Sequence, residues 1–313
     1  MMTVTAHASP TTAASSVPRT TASVTHAAAA SHRIPRRRRR FRLSVWLWSI
    51  LALVLAAFWA FPVYWMINSS MLSTADLESA TPTFVPIGGS FINFERVLTP
   101  AFFSALGVSV TVTLLSVAVC LVCAFLASVA ISRFKFRGRV GFIVTILLIQ
   151  MLPAEGLFIA QYKMMSTLGL LSNVLGLSIL YVAAVVPFTI WMLRGFVAGV
   201  PAELEEAAMI DGLSRTQAFI RITLPLLAPG LVASGVFAFL QCWNEFTIAL
   251  VTMENNKTLP LWLRGFVQQS ATQAIDWAQV MAASTIVALP VIVFFVIVQG
   301  RMTSGLVSGA VKG

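Results

Sequence analysis

The sequence predicts an all-α membrane protein with six transmembrane helices, and three observations carry that prediction. The chain of 313 residues is 58% hydrophobic and only 10% charged. Six apolar segments reach the roughly 20 residues that a helix needs to cross a hydrocarbon core about 30 Å thick. The basic residues gather on alternate connections between those segments. Backbone inside lipid must satisfy its own hydrogen bonds, which leaves helices or a closed barrel. No series of alternating strands of about ten residues suggests a barrel.

Residues 1–40 are rich in Ala, Ser, Thr and Val, contain no acid and end in the run Arg36–Arg40. That composition predicts a disordered basic tail. A solvated anchor against anionic lipid is favoured over a nucleic-acid-binding arm. The first apolar segment, 45–67, is too long for a signal-peptide core and lacks a small-x-small exit. A mitochondrial transit peptide stays open as a reading of the acid-poor tail. Residues 68–104 read as an ordered external cap with turns at Pro82, Pro86 and Gly88-Gly89. The second span, 105–131, carries Cys120-x-x-Cys123 in an apolar setting without further ligands. With Cys242, these read as packing residues rather than a redox or zinc site.

A short basic loop, Arg133 to Arg139, leads into the third span at 140–161 and the fourth at 174–196. The fifth lies at 225–251 and the sixth at 281–299, with a second external excursion, 252–280, between them. Residues 41–300 thus form one membrane domain, and 301–313 form a flexible tail of small residues. Pro153, Pro187 and Pro290 are expected to bend their helices. With both termini inside, every Lys and Arg except Arg96, Lys163, Lys257 and Arg264 falls on the inner side. This is the positive-inside pattern, so the net charge of +10 is a topology signal.

The connection 197–224 is too long for a plain loop between neighbouring helices. Pro201 fits a first helical turn, and Glu203, Glu205 and Glu206 sit where the helix dipole favours negative charge. Leu204, Ala207, Ala208 and Asp211 fall near one face. Gly212 is a natural stop. Ser214-x-x-Gln217 has the form of a capping box opening a second short helix, and Pro225 opens the fifth span. The Ala pair offers a low surface for close approach, and its acidic rim offers charge-assisted bonds to Arg. A docking knob for a cytosolic protein is one reading; a helix lying on lipid is the other. Three Glu within four residues favour docking, because an anionic membrane surface repels them.

Glu206-Ala207-Ala208, then Asp211-Gly212, then nine residues and Ile222-x-Leu224-Pro225 resemble the EAA signature of permease subunits of binding-protein-dependent ABC importers. Cys242-Trp243-Asn244-Glu245-Phe246, the Thr258-Leu259-Pro260 step and the SGAVKG ending resemble the carbohydrate-uptake branch, in particular the shorter permease of the maltose transporter pair. The resemblance covers about 45–313. It implies a type I importer architecture in a bacterial plasma membrane, both termini cytoplasmic. It implies a coupling helix from about Ala202 to Leu213 seated in an ATPase cleft, with Glu206 paired to a base there. Glu205, Glu206, Ala207, Ala208, Asp211, Gly212, Leu224 and Pro225 become the docking set. Asn256, Lys257, Thr258, Leu259 and Pro260 become contacts with an extracytoplasmic sugar-binding protein. The other implied partners are a second homologous permease, an ATPase dimer, the sugar and lipid, with no nucleic acid.

Independently of that resemblance, a P-loop needs Gly-Lys-[Ser/Thr], and none of Lys135, Lys163, Lys257 and Lys312 follows a glycine. The chain is therefore read as non-catalytic and without cofactor, ATP and Mg being bound by the partner. Polar groups inside a membrane usually face a pathway or the bundle interior. Glu155 and the trio Gln241, Asn244 and Glu245, with Trp243 beside them, are candidate pathway residues. Bonding to neighbouring helices is the alternative for each. Two other functions stand against transport by an ATP-driven importer. An ion-coupled carrier is disfavoured because His7, His26 and His32 all lie in the tail; a non-transporting scaffold is the second.

Overall fold

The computed structural model describes residues 43–268 and 275–310, without the side chains of 43, 44, 154, 155 and 301–310. The expected basic tail, 1–40, lies outside the described residues. Residues 1–54 and 55–313 form two units; of the first, residues 43–54 are described and are helical. Among the described residues all regular structure is helical, and five helices are long and apolar enough to cross a membrane.

Helix α1 runs Leu43–Ser70. The cap that follows contains α2, Thr74–Leu77, and α3, Ile92–Val97. Buried Asn93 holds this cap in place, donating to the carbonyls of Ser70 (3.0 Å) and Leu72 (2.9 Å). Helix α4, Pro100–Arg133, starts where the Thr99 hydroxyl accepts from the Phe102 amide and Pro100 fills the first turn. Its 34 residues make about 50 Å at 1.5 Å per residue, well beyond a 30 Å hydrocarbon core, so the helix is long enough to extend past the apolar layer.

The third expected span is not one bent helix. Helix α5 covers Arg139–Gln150, a single 3-10 turn covers Ala154–Leu157, and α6 covers Phe158–Thr167. Pro153 lacks the N–H that would continue α5 and disfavours helical geometry in the residue before it. Helix α7, Val174–Gly199, is capped by the Asn173 side chain, which accepts from the Leu175 amide at 2.8 Å, and it continues through Pro187 without ending.

The connection after α7 holds α8, Glu203–Ile210, and α9, Arg215–Ala218. Here α9 is not a separate element as expected. A π-helical segment, Phe219–Thr223, joins it directly to α10, Leu224–Trp243. Pro225 would clash with the carbonyl one α-turn back, and the wider π-turn immediately before it relieves that conflict. The expected fifth span also ends early: α10 stops at Trp243, and α11, Thr247–Thr252, follows. Helix α12 covers Leu259–Gln268. Helix α13 runs Trp277–Ala310, so the stretch expected to be a flexible tail after residue 300 is helical to Ala310. Propagating an existing helix needs no new nucleus, which outweighs the small residues there.

The core lies among α4, α7, α10 and α13. On α4 a stripe of mostly small residues is buried: Ala105, Ser109, Val112, Ser116, Cys120, Ala124 and Ser128. Their spacing of three and four residues puts them on one face. Small side chains let helix backbones approach closely inside a membrane, where apolar bulk gives no preference for protein over lipid. Ser116 donates to the Ser178 carbonyl on α7, and the Cys120 thiol lies 3.4 Å from the Thr189 hydroxyl. Cys120 and Cys242 are packing residues as expected, whereas Cys123 is exposed. Gly230 on α10 faces the Phe196 side chain of α7 so closely that a Cβ would overlap the ring and its Cβ.

Overpacking of this kind typically costs about 1–3 kcal/mol. Gly230→Ala is therefore expected to lower the thermal stability of the protein in detergent micelles by that amount. Adding Gly230→Ala to Phe196→Gly, which removes both the ring and its Cβ, should cost much less. Equal losses in the two backgrounds would contradict the close contact.

Candidate functional site

The acidic stretch forms the compact corner its residues suggest. Helix α8 has Glu203, Glu205 and Glu206 in its first turn, although Pro201 precedes the helix instead of standing inside it. Its C-terminus closes with Asp211 donating to the Ala207 carbonyl, Gly212 to Met209 and Leu213 to Ala208. The last bond spans five residues and is the Schellman arrangement that consumes the final free carbonyls. It requires a left-handed residue, and Gly212 has φ +91°. Two residues on, the Ser214 side chain accepts from the Gln217 amide while the Gln217 side chain accepts from the Ser214 amide. The expected capping box is present.

The rim acids divide into two roles. Glu206 and Ala207 are exposed, and Ala208 is buried against the body of the protein. Adjacent residues on a helix point about 100° apart, and Glu205 turns the other way. Its carboxylate lies 3.4 Å from the Arg133 guanidinium and accepts a 2.7 Å hydrogen bond from the buried Thr223 hydroxyl. Arg133 also donates to the Val200 carbonyl at 3.0 Å. Glu205 is thus engaged within the chain, unlike exposed Glu206. Leu224 and Pro225 continue the helix above this node. Between α8 and the end of α4 lies a cavity of about 480 Å³, lined by Arg133, Glu205, Glu206, Met209, Arg215 and Phe219 among others.

The expected pathway cluster is rearranged. Gln241, Asn244 and Glu245 do not share a helical face, because α10 ends at Trp243. The Asn244 side chain donates back to the Leu240 carbonyl. The Glu245 carboxylate accepts from the amides of Ile248 (2.7 Å) and Ala249 (3.1 Å), closing the N-terminus of α11. Trp243 is 3% exposed and stacks on Phe239, which stacks in turn on Phe294. It is a core residue. Gln241 and Asn244 remain exposed. Glu155 lies in the 3-10 turn between α5 and α6, and its side chain is outside the described set.

The expected contact loop is also partly internal. Thr258 and Leu259 are 3% and 0% exposed, and the Leu259 amide donates to the Ser109 hydroxyl of α4 at 2.7 Å. A buried loop amide needs a partner, and Ser109 supplies it by drawing the Thr-Leu-Pro step into the bundle. Pro260 is half-buried, and Asn256 and Lys257 stay exposed. Asn256 donates to the Ser172 carbonyl. The Ser172 hydroxyl accepts from the amides of Glu254 and Asn255. Ser172 has φ +52°.

Sequence reasoning missed Arg133, Thr223, Ser172 and Ser109. Arg133 was legible only as one more inner-side charge. The small-residue period of α4 was a readable signal for Ser109. Nothing local marks Thr223 or Ser172.

A model of the family described as binding-protein-dependent transport system inner membrane component matches residues 120–305. The chain is 42% identical over 268 residues to the diacetylchitobiose uptake system permease protein DasC of Streptomyces coelicolor, covering 85% of this chain and 96% of that one. It is 33% identical over 276 residues to the trehalose/maltose transport system permease protein MalG of Thermococcus litoralis, covering 84% and 95%. It is 30% identical over 269 residues to the trehalose transport system permease protein SugB of Mycobacterium tuberculosis, covering 85% and 97%. Its fold is similar, with a TM-score of 0.69 at 24% identity, to a chain of a bacterial ABC transporter that imports the acidic polysaccharide alginate. That match covers 85% of this chain and 99% of the other.

A β-branched residue at the Gly212 corner must adopt a left-handed conformation at a cost of about 1–2 kcal/mol. Gly212→Val is expected to open the corner and raise trypsin cleavage after Arg215 severalfold. Gly212→Asn, which tolerates that conformation, should leave cleavage near the native rate.

Proposed function

Because the chain belongs to the family of binding-protein-dependent transport system inner membrane components, we propose that it is one permease subunit of an ATP-driven importer of di- or oligosaccharides. The observation that carries this reading is the corner Glu203–Gln217: a short acidic helix, a left-handed glycine and a capping box, held at the end of the bundle that bears Arg133. The sugar class rests on the relatives, whose substrates are diacetylchitobiose, trehalose and maltose.

The chain crosses the membrane several times, with both termini and the α8 corner on the cytoplasmic side. The distribution of Lys and Arg supports that orientation. A separate ATPase dimer binds ATP and Mg and receives α8 in a surface cleft. Glu206, Ala207 and Asp211 face it, Gly212 gives the corner its shape, and Ala208 seats the helix on its own bundle. A second, homologous permease completes the translocation path. An extracytoplasmic sugar-binding protein delivers the substrate and meets this chain through Asn256 and Lys257, the exposed part of the 252–260 loop. Exposed Gln241 and Asn244 are the polar groups retained as path candidates. Glu245 shapes the path by holding the break between α10 and α11. Backbone that departs from a helix at membrane depth is tolerated where it is buried in protein or lines a cavity.

Reconstitution with the second permease, the ATPase and the binding protein tests the reading. Uptake of a member of the set diacetylchitobiose, trehalose and maltose is expected to require ATP and the binding protein, and to ignore proton and sodium gradients. Gradient-driven uptake without ATP contradicts it. Glu206→Lys places a like charge against a basic partner and is expected to detach the ATPase while membrane insertion persists. Retained ATPase and transport in that variant would count against docking through α8.

A further inference from the structure

Resting on that docking reading, we infer that Glu205 is the positioning residue that makes the docking helix move as one body with the transmembrane helices. It does so without itself touching the motor.

Two elements meet at this one carboxylate, the end of α4 and the π segment, and a third, the end of α7, joins them through Arg133. Arg133 is the last residue of α4. Val200, whose carbonyl accepts from Arg133, caps the C-terminus of α7. Thr223 ends the π segment that leads into α10. Thr223 hydrogen-bonds Glu205 and Arg133 pairs with it at 3.4 Å, and the Arg133 and Glu205 side chains are 17% and 14% exposed. Ala208, one turn along α8, is buried and adds apolar contact, but a small methyl face alone can slide. A partly desolvated ion pair whose members also hold the Thr223 hydroxyl and the Val200 carbonyl resists sliding, because displacing either member leaves a partly desolvated charge without its partner. The π segment ends at the tethered residue. Such segments are uncommon in helices and are frequent at functional sites. Here it bears a hydroxyl aimed at Glu205 and stands one residue before the Leu224-Pro225 pair that begins the long run of α10.

This arrangement assigns different tasks to neighbouring acids. Glu206 faces outward and contributes to attachment. Glu205 faces inward and contributes to transmission. A push on α8 reaches α4 and α10 through Glu205, and reaches the end of α7 through Arg133. Without the carboxylate, α8 keeps its chain connections, Ala208 and its packing on the π segment, but loses its tie to α4, so the motor can close while the transmembrane helices lag.

The test uses the full assembly in proteoliposomes: this chain, the second permease, the ATPase and the binding protein. Glu205→Gln and Glu205→Ala are compared with Glu206→Lys. The readouts are ATPase retained on the purified chain, ATP hydrolysis stimulated by the binding protein, and sugar taken up per ATP hydrolysed. The sugar is whichever of diacetylchitobiose, trehalose and maltose the unaltered assembly imports. Both Glu205 variants are expected to retain the ATPase and to hydrolyse ATP. Uptake per ATP is expected to fall about fivefold or more in Glu205→Ala, and less in Glu205→Gln, which still accepts a hydrogen bond from Thr223. A purely structural role lowers uptake and hydrolysis together and leaves their ratio unchanged; that result overturns the inference. Loss of the ATPase from Glu205→Gln, as from Glu206→Lys, also overturns it by making Glu205 a docking residue. Retention of the ATPase by Glu206→Lys contradicts the docking reading instead, whatever the Glu205 ratio shows.

Discussion

Inside a bilayer no water is at hand to satisfy a backbone group that leaves its helix, and the break between α10 and α11 is arranged around that shortage. The gap after α10 ends with a carboxylate receiving the first free amides of α11. The amide of Leu259 reaches a serine hydroxyl of α4. The junction of α9 and α10 widens into a π-turn just before a proline that could not otherwise follow. Long helices pack through a stripe of small residues on α4, and the hydroxyls on that stripe serve two ends: Ser116 ties α7, and Ser109 ties the loop before α12. Several polar side chains in this bundle therefore act on the chain's own backbone.

At the end of α4 that bears Arg133, the surroundings change and so does the use of charge. A helix of eight residues is too short to be stable alone. It persists here because a Schellman turn closes its C-terminus, because acids in its first turn suit the helix dipole, and because one of those acids is bonded to the bundle. The same residues that stabilise α8 also fix its position relative to α4 and α10. A helix so fixed can carry displacement between two bodies, which is what an importer that separates ATP hydrolysis from the sugar path requires of its permease.

The corner 203–217 was legible in the sequence because its determinants are local. Acids in a first turn, a glycine at the stop and a serine three residues before a glutamine each act within one helical turn. The partition of Glu205 from Glu206 was not legible. The two are chemically identical neighbours, and only the rotation between them and an arginine 72 positions upstream tells them apart. The Gln241–Glu245 cluster was misread for a related reason. Its spacing implies one face only if the helix continues, and nothing local shows that α10 stops at Trp243. Thr258 and Leu259 stand in a connecting segment and so read as exposed, yet a hydroxyl 150 residues earlier draws them inward. The division of the third span at Pro153 was signalled by the proline but not its extent, since a proline can either kink a helix or end it.

Coupling of this kind requires α8 to stay rigidly attached to the transmembrane helices while the motor cycles. Spin labels at exposed Leu204 on α8, outside the docking set, and at exposed Phe134, beside the end of α4, give that distance directly by pulsed electron resonance in the assembled transporter. The distance is expected to stay within about 2 Å between the nucleotide-free and ATP-bound states, while the separation between the docking helices of the two permeases changes. A shift of α8 against α4 larger than the change between the two permeases would contradict it.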